Sequence, residues 1–294
     1  MILLTGSDGF IGKSLTPALL NQNFDIFSIN KNKQKSISNH FSLTKDITKI
    51  NNSDLKHSFS KIIHMAALSD IQKCNASPSI CIDVNVNGTA RILEIARKND
   101  VPVIFLSSSH VYGDPKSLPV SETHQVSPSS IYSSSKIMAE TLCQTYSQLY
   151  DLDISVVRLF SVFGPNASSS NLISRIINQI LSNDSVKLGN IKPKRDFIFI
   201  DDVIDGLMSI IKSQKNNFNI YNIGTGKSIS VEKICKLIFK NYKKKYSIFS
   251  EKSQIRKSDT LEIKADISKM NLDFNWTPQV SLLDGLKFTC DNFV

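Results

Sequence analysis

Short apolar runs, closed by small or polar residues, alternate with stretches of helical spacing through the first half of the chain. Ile2 to Leu4 carries no charge, as a strand buried on both faces requires. Phe24 to Ile29, Lys61 to His64, Val101 to Leu106 and Ile154 to Leu159 read as further strands. Between them, Lys13 to Leu20 reads as a helix, and so does Asp83 to Lys98, through Ile92, Leu93, Ile95 and Ala96. Pro128 to Gln148 continues as an amphipathic helix through Ala139, Leu142 and Tyr146. Strands and helices in alternation predict an α/β fold on an open parallel sheet. The rhythm breaks at Phe160-Ser-Val-Phe-Gly-Pro165, which predicts a change of domain. Beyond it come a helix from Asn171 to Leu181, a strand within Lys192 to Asp202 and a helix from Val203 to Ile211. A strand from Asn219 to Ile223, a Gly224-Thr-Gly226 turn and helices over Ser230 to Tyr242 and Leu282 to Phe288 complete the chain.

Three glycines follow the first strand. Gly6 allows a tight turn, Gly9 lets backbone approach a pyrophosphate, and Gly12 lets helix and strand pack closely. The helix N-terminus then offers free N–H groups and a positive dipole end to phosphates. A dinucleotide site is expected here, with Phe10 and Ile11 beside the glycines. At the end of the second strand, Asn30 and Lys31 stand where such folds read the adenosine ribose. The acid that would bond the ribose hydroxyls is missing there and lysines are present, so the residues lean towards NADP(H), with NAD(H) as the alternative. Asp46 and Ile47 are candidates for the adenine, Ala66 and Ala67 for close cofactor approach, and Asn85 for a further cofactor contact.

The chemistry is expected beyond the carboxyl ends of the strands. Ser107, Ser108 and Ser109 close the strand Val101 to Leu106. Tyr132 and Lys136 are four residues apart, hence on one helical face. A lysine there would stabilise the phenolate and lower its pKa, which makes Tyr132 an acid/base candidate. A serine hydroxyl from a strand end can bond the same substrate oxygen.

Length and composition narrow the setting. A chain of 294 residues suits one large domain and a smaller one. No stretch approaches eighteen apolar residues, and the N-terminus enters a strand without a basic leader, so a cytoplasmic, non-membrane protein is expected. Five scattered cysteines with no C-x-x-C pair agree with a reducing compartment and give no sign of a metal site. The net charge of +9 lies partly in lysine clusters at Lys31 to Lys35 and Lys243 to Lys245. Without interleaved aromatics these read as solvated surface rather than a nucleic-acid interface, though a polyanionic small substrate would also profit.

Ordered motifs then point to a family. They are Thr5-Gly-Ser-Asp-Gly-Phe-Ile-Gly12, His64-Met-Ala-Ala67, Asn85-Val-Asn-Gly-Thr89, Ser107-Ser-Ser-His-Val-Tyr-Gly113, Tyr132 with Lys136, Arg195-Asp-Phe197 and Tyr221-Asn-Ile-Gly-Thr-Gly226. With them the chain resembles the extended short-chain dehydrogenase/reductases that act on nucleotide sugars, the NAD-dependent epimerase/dehydratase family. The resemblance implies a doubly wound Rossmann-type domain over residues 1–160, receiving further elements from about 195–223. It also implies a smaller discontinuous substrate-binding domain from residues 161–194 and 224–294, and a homodimer. Ser108, Tyr132 and Lys136 take the catalytic roles, with Tyr132 and Lys136 also at the cofactor. Ser109, His110, Asn171, Arg195 and Arg256 take contacts to a nucleotide-diphosphate sugar. Three departures stand out. His110 replaces the acid that dehydratases of the family use in water elimination, Ser161 replaces a common Asn, and Asn30 replaces the acid typical of NAD-retaining epimerases. The reading leans to a reductase of a nucleotide-activated 4-keto-6-deoxy sugar, with an NAD-dependent nucleotide-sugar 4-epimerase as alternative. A non-catalytic dinucleotide sensor is a third reading, against which the intact Ser108, Tyr132 and Lys136 speak.

Overall fold

The computed structural model describes residues 1–33, 39–183, 185–213, 217–242, 246–251 and 260–293. Arg256, Lys35 of the first lysine cluster and all of Lys243 to Lys245 lie outside the described residues. The chain divides into two compact units. One comprises Met1–Val111, Pro128–Arg158 and Ile204–Tyr221, the other Tyr112–Ser127, Leu159–Val203 and Asn222–Val294.

The first unit is built on a seven-stranded sheet of Rossmann type. Its strands are β1 (Ile2–Thr5), β2 (Ile26–Asn30), β3 (His40–Thr44), β4 (Lys61–His64), β5 (Val103–Ser108), β6 (Ile154–Leu159) and Phe218–Ile223. Across the sheet the order is Phe218–Ile223, β6, β5, β4, β1, β2, β3. β1 lies between β2 and β4, parallel to both, with Thr5 opposite Ile29 on one side and His64 on the other. The chain runs outward from β1 through β2 to β3, then returns to the other side of β1 as β4. Such a reversal opens a crevice at the carboxyl ends of the strands, where ligands bind in open α/β sheets. Leu3, Ile62, Val103 and Val156 are fully or almost fully buried in one core with Ile92 and Leu93. β1 and β5 carry no charge, β4 and β6 carry one each, at Lys61 and Arg158, and all four read as apolar runs because both faces are covered.

Several boundaries differ from the sequence reading, for local reasons. Helix α1 spans Phe10–Asn21, so it starts three residues before Lys13 and takes Gly12 into its first turn. β3 carries only one buried residue, His40, and its polar pattern hid it. The helix read from Asp83 is the end of a longer helical stretch. That stretch comprises α2 (Ile71–Ala76), α3 (Pro78–Ile82), a π-helical turn over Asp83–Asn87, and α4 (Gly88–Asn99). Asp70 caps α2 by accepting from the Gln72 and Lys73 amides, and Pro78 opens α3 at a position where its missing N–H is no loss. Helix α5 spans Ile131–Tyr150; Ser130 and Ser133 bond each other's backbone amides, so the helix begins after Ser130 rather than at Pro128.

The second unit carries short paired strands. Ser161–Phe163 runs parallel to Phe197–Phe199, Lys194–Arg195 antiparallel to Ile229–Ser230, and Ser185–Leu188 parallel to Ser247–Ser250. The strand read within Lys192 to Asp202 is Phe197–Phe199, and the helix read from Val203 starts three residues earlier, over Ile200–Lys212. Asp201 and Asp202 sit in its first turn, where carboxylates complement the helix dipole. Among the described residues, no helix is long and apolar enough to cross a membrane.

Candidate active site

The glycine turn leaves β1 at the point where the strand order reverses. Gly6 has φ +73°, and a Cβ there would lie 2.9 Å from the Ala66 backbone. A Cβ at Gly12 would lie 2.5 Å from the Gly6 carbonyl and the Ser7 Cα. No side chain caps α1 at Gly9, so the first-turn amides beside Phe10 and Ile11 keep their capacity for an anion. This cradle fits a pyrophosphate. Ala66 and Ala67, half-buried, follow β4 beside it.

Behind the turn lies a buried hydrogen-bonded chain. The Thr5 hydroxyl accepts from the Met65 and Ala66 amides at 3.2 and 3.1 Å, which leaves its own proton for His64 Nδ1 at 2.6 Å. His64 Nε2 then donates to Thr89 at 3.0 Å, and the Thr89 hydroxyl donates to the Asn85 carbonyl at 2.6 Å. Burial holds the His64 pKa down at about 3, so the chain stays neutral while it fixes the residues after β4. The Asn85 side chain is engaged inside the unit. Its oxygen accepts from the Leu68 amide at 2.7 Å, and its nitrogen donates to the Leu68 carbonyl at 3.0 Å and to Ser135 at 2.9 Å.

At the end of β2, Asn30 is 2% exposed and its amide turns inward to Ser7 and Ser28. Lys31 stays exposed, its ammonium 3.9 Å from Asp46. Asp46 caps a short turn by accepting from the Thr48 amide and hydroxyl at 3.0 and 2.9 Å. The Thr48 amide is the main influence holding its carboxyl below the usual range. Ile47 is buried in the core.

The catalytic candidates meet at the end of β5. Ser108 closes the strand, Ser109 begins the 3-10 turn Ser109–Tyr112, and both are buried. Ser108 Oγ lies 3.1 Å from His110 Nδ1, and the His110 ring meets that of Tyr132 edge-on, with centroids 6.0 Å apart. Tyr132 and Lys136, one turn apart on α5, are buried beside them. Burial pushes the Tyr132 phenol up to about 12, and a hydrogen bond with Ser108 pulls the other way. The lowered phenol expected from the neighbouring lysine is thus not what this structure shows. The reason is where Lys136 points: its ammonium donates to the Leu106 carbonyl at 2.8 Å and lies 4.7 Å from the centre of the Phe105 ring. Burial brings the Lys136 pKa down to about 8, with Glu140 opposing.

Glu140 was not singled out in the sequence, though its spacing from Tyr132 and Lys136 could have shown it. It bonds Ser107 and forms a buried ion pair with Arg158 of β6, Nη2 to Oε2 at 2.6 Å. Cys74 and Cys81, two of the five cysteines that are scattered in the sequence, come together here. Their sulfurs lie 2.8 Å apart, packed with Tyr132, and burial pushes the Cys74 thiol up to about 12.

Asn171 and Arg195 belong to the second unit. Asn171 caps the helix Leu172–Ser182 through the Ile173 amide and donates to the Val162 carbonyl at 2.9 Å. Arg195 is half-buried and donates to the Thr260 carbonyl at 2.7 Å. Next to it, Asp196 is fully buried and gathers the amides of Thr225, Gly226 and Ala265 at 2.8, 2.9 and 3.0 Å. That carboxylate organises the loop around Arg195, a role invisible in Arg195-Asp-Phe197 as a string.

The arrangement has counterparts along its full length. A UDP-glucuronate 4-epimerase from Thermodesulfobacterium geofontis is 33% identical, over 98% of this chain and 94% of that protein. A putative UDP-glucose 4-epimerase from Methanocaldococcus jannaschii is 32% identical, over 98% of this chain and 96% of that one. Among solved structures, the UDP-glucuronic acid 4-epimerase from Bacillus cereus, in complex with UDP-glucuronic acid and NAD, superposes with a TM-score of 0.92. The two are 28% identical, over 99% of this chain and 98% of that one. Residues 2–224 match the NAD dependent epimerase/dehydratase family. The glycine cradle, the Ser108, Tyr132 and Lys136 cluster and this match have one account: the chain is an enzyme of the NAD-dependent epimerase/dehydratase family.

Proposed function

We propose that this enzyme is an NAD-dependent 4-epimerase of UDP-hexoses. The observation that carries the reading is the buried cluster of Ser108, Tyr132 and Lys136 at the end of β5, in a chain similar over its whole length to 4-epimerases of UDP-sugars. The reductase reading drew on the short chain, on the segment from Leu188 to Phe197, and on Asn30 with the lysines after it. With the Asn30 amide turned inward, the last of these loses its footing.

The glycine turn, Ala66 and Ala67 hold the dinucleotide, with the pyrophosphate at the start of α1. NAD bound there would supply a reversible hydride acceptor for sugar C4. The residues of the chain handle the proton. Tyr132 would take it from the C4 hydroxyl as phenolate, the positive charge of bound NAD opposing the upward push of burial, and later give it back, while Ser108 holds the same oxygen through its own hydroxyl. Lys136, one turn along α5 from Tyr132, would hold the nicotinamide ribose. Asn171 and Arg195 would contact the diphosphate, a task that suits the Arg195 guanidinium.

The test is incubation of the purified enzyme with UDP-glucuronic acid or UDP-glucose, with no added reductant, and separation of the C4 epimers. Interconversion is expected, and Tyr132→Phe is expected to lower turnover about a hundredfold or more while leaving NAD affinity nearly unchanged. Consumption of NADPH with a 4-keto-6-deoxy sugar, without epimerisation, would replace this reading by the reductase.

A further inference from the structure

The acid missing from the end of β2 has a substitute in the glycine turn. Asp8 stands between Ser7 and Gly9, and its amide donates to Asn30 Oδ1 at 3.3 Å. That bond fixes it against the last residue of β2, where dinucleotide folds read the adenosine ribose. Its carboxylate is held there by Asn32, whose Nδ2 donates to Asp8 Oδ2 at 3.1 Å, engaging one of the two oxygens. Asn30 itself is withdrawn from solvent. It donates to Ser7 Oγ at 2.9 Å and to Ser28 Oγ at 3.2 Å, and Ser28 in turn lies 2.9 Å from His40 Nε2. An amide committed to that internal chain is a brace for the turn and not a reader of the ribose.

We infer that Asp8, and not the residue at the end of β2, selects the cofactor of this enzyme, accepting from the ribose hydroxyls of NAD(H) and repelling the 2′-phosphate of NADP(H). The inference rests on the reading of the glycine turn as the dinucleotide site and is independent of the sugar reaction. The neighbouring cations do not overturn it. Lys31 is exposed and lies near Asp46, and Lys13 and Lys33 are exposed, so all three face water. Interactions of well-solvated charges are weak and screened. Asp8 is partly buried and tied at its amide and its carboxylate, which fixes its charge in place.

The test is direct titration of the purified protein with NADH and NADPH, followed by nicotinamide fluorescence, without any sugar present. The wild-type protein is expected to bind NADH at least about tenfold more tightly than NADPH, since a hydrogen bond to a charged group contributes about 1.5–3 kcal/mol. Asp8→Asn and Asp8→Ser are expected to shrink that ratio about tenfold, chiefly by tighter NADPH binding. Lys31→Gln is expected to leave it unchanged. A wild-type preference for NADPH, a ratio indifferent to both Asp8 variants, or a ratio governed by Lys31 would overturn the inference. Binding of neither dinucleotide would remove the glycine-turn reading along with it, whereas binding of both with no role for Asp8 would remove the inference alone.

Discussion

His64 shows how one side chain sets the tolerance of a site to acid. The imidazole is held neutral between Thr5 and Thr89, and its pKa in the folded protein is about 3 against an ordinary value of 6.5. Below pH 6.5 the unfolded chain takes up a proton at this residue while the folded one does not. The stabilisation is therefore complete above pH 6.5 and is lost progressively as pH falls towards 3, by up to about 1.4 kcal/mol per pH unit. Urea denaturation at pH 6.5 and pH 5 is expected to show this loss. His64→Gln keeps an N–H donor for Thr89 but does not titrate, so its stability is expected to change less over the same interval. An equal slope in both proteins would place the acid sensitivity elsewhere, for example at His40, which burial also shifts downward.

Helix α5 carries more of the site than any other element. Tyr132, Lys136 and Glu140 follow one another at one-turn intervals, and all three are buried. The first two have the proposed catalytic roles, and the third anchors the helix to the sheet through Arg158. Removing one partner of a buried ion pair strands the other charge, which costs about 3–5 kcal/mol. Glu140→Ala is expected to destabilise the protein by that much in urea denaturation. Replacing Glu140 and Arg158 together by Leu and Met is expected to recover most of the loss, because neither member of the pair is then stranded without the other. A double variant as unstable as Glu140→Ala would mean that packing, and not the stranded guanidinium, sets the cost.

On the scale of the whole chain, legibility followed the kind of interaction that fixes each part. The strands β1, β4, β5 and β6 were readable because burial on both faces favours apolar runs, which a single charge interrupts in β4, at Lys61, and in β6, at Arg158. The glycine turn and the pairing of Tyr132 with Lys136 were readable because each is local in sequence. Long-range partners were not. Glu140 meets Arg158 and Asn85 meets Ser135 only after the sheet has formed, and neither string announces the contact. β3 was lost because its exposed positions dilute the apolar pattern. The direction of the Tyr132 shift was misread for a related reason: proximity on a helix face does not say where a lysine ammonium ends up, and this one reaches the Leu106 carbonyl.

The π-helical turn over Asp83–Asn87 places one residue more in that turn than an α-helix would, with the Gly88 amide reaching back to the Asp83 carbonyl. Each residue advances an α-helix by about 100°, so the extra one sets the phase of α4 against everything before it. With it, Asn85 faces Leu68 and Ser135 while Thr89 faces His64. In this segment the count of residues matters more than their identity. Val86→Ala changes a half-buried side chain and is expected to lower the melting temperature slightly. Deleting Val86 changes no chemistry at all, yet it rotates one of those two contacts off its partner. The deletion is expected to cost far more in thermal stability and to weaken NAD binding as well. The spacing of the chain, like the tooth count of a gear, is what keeps the two faces meshed.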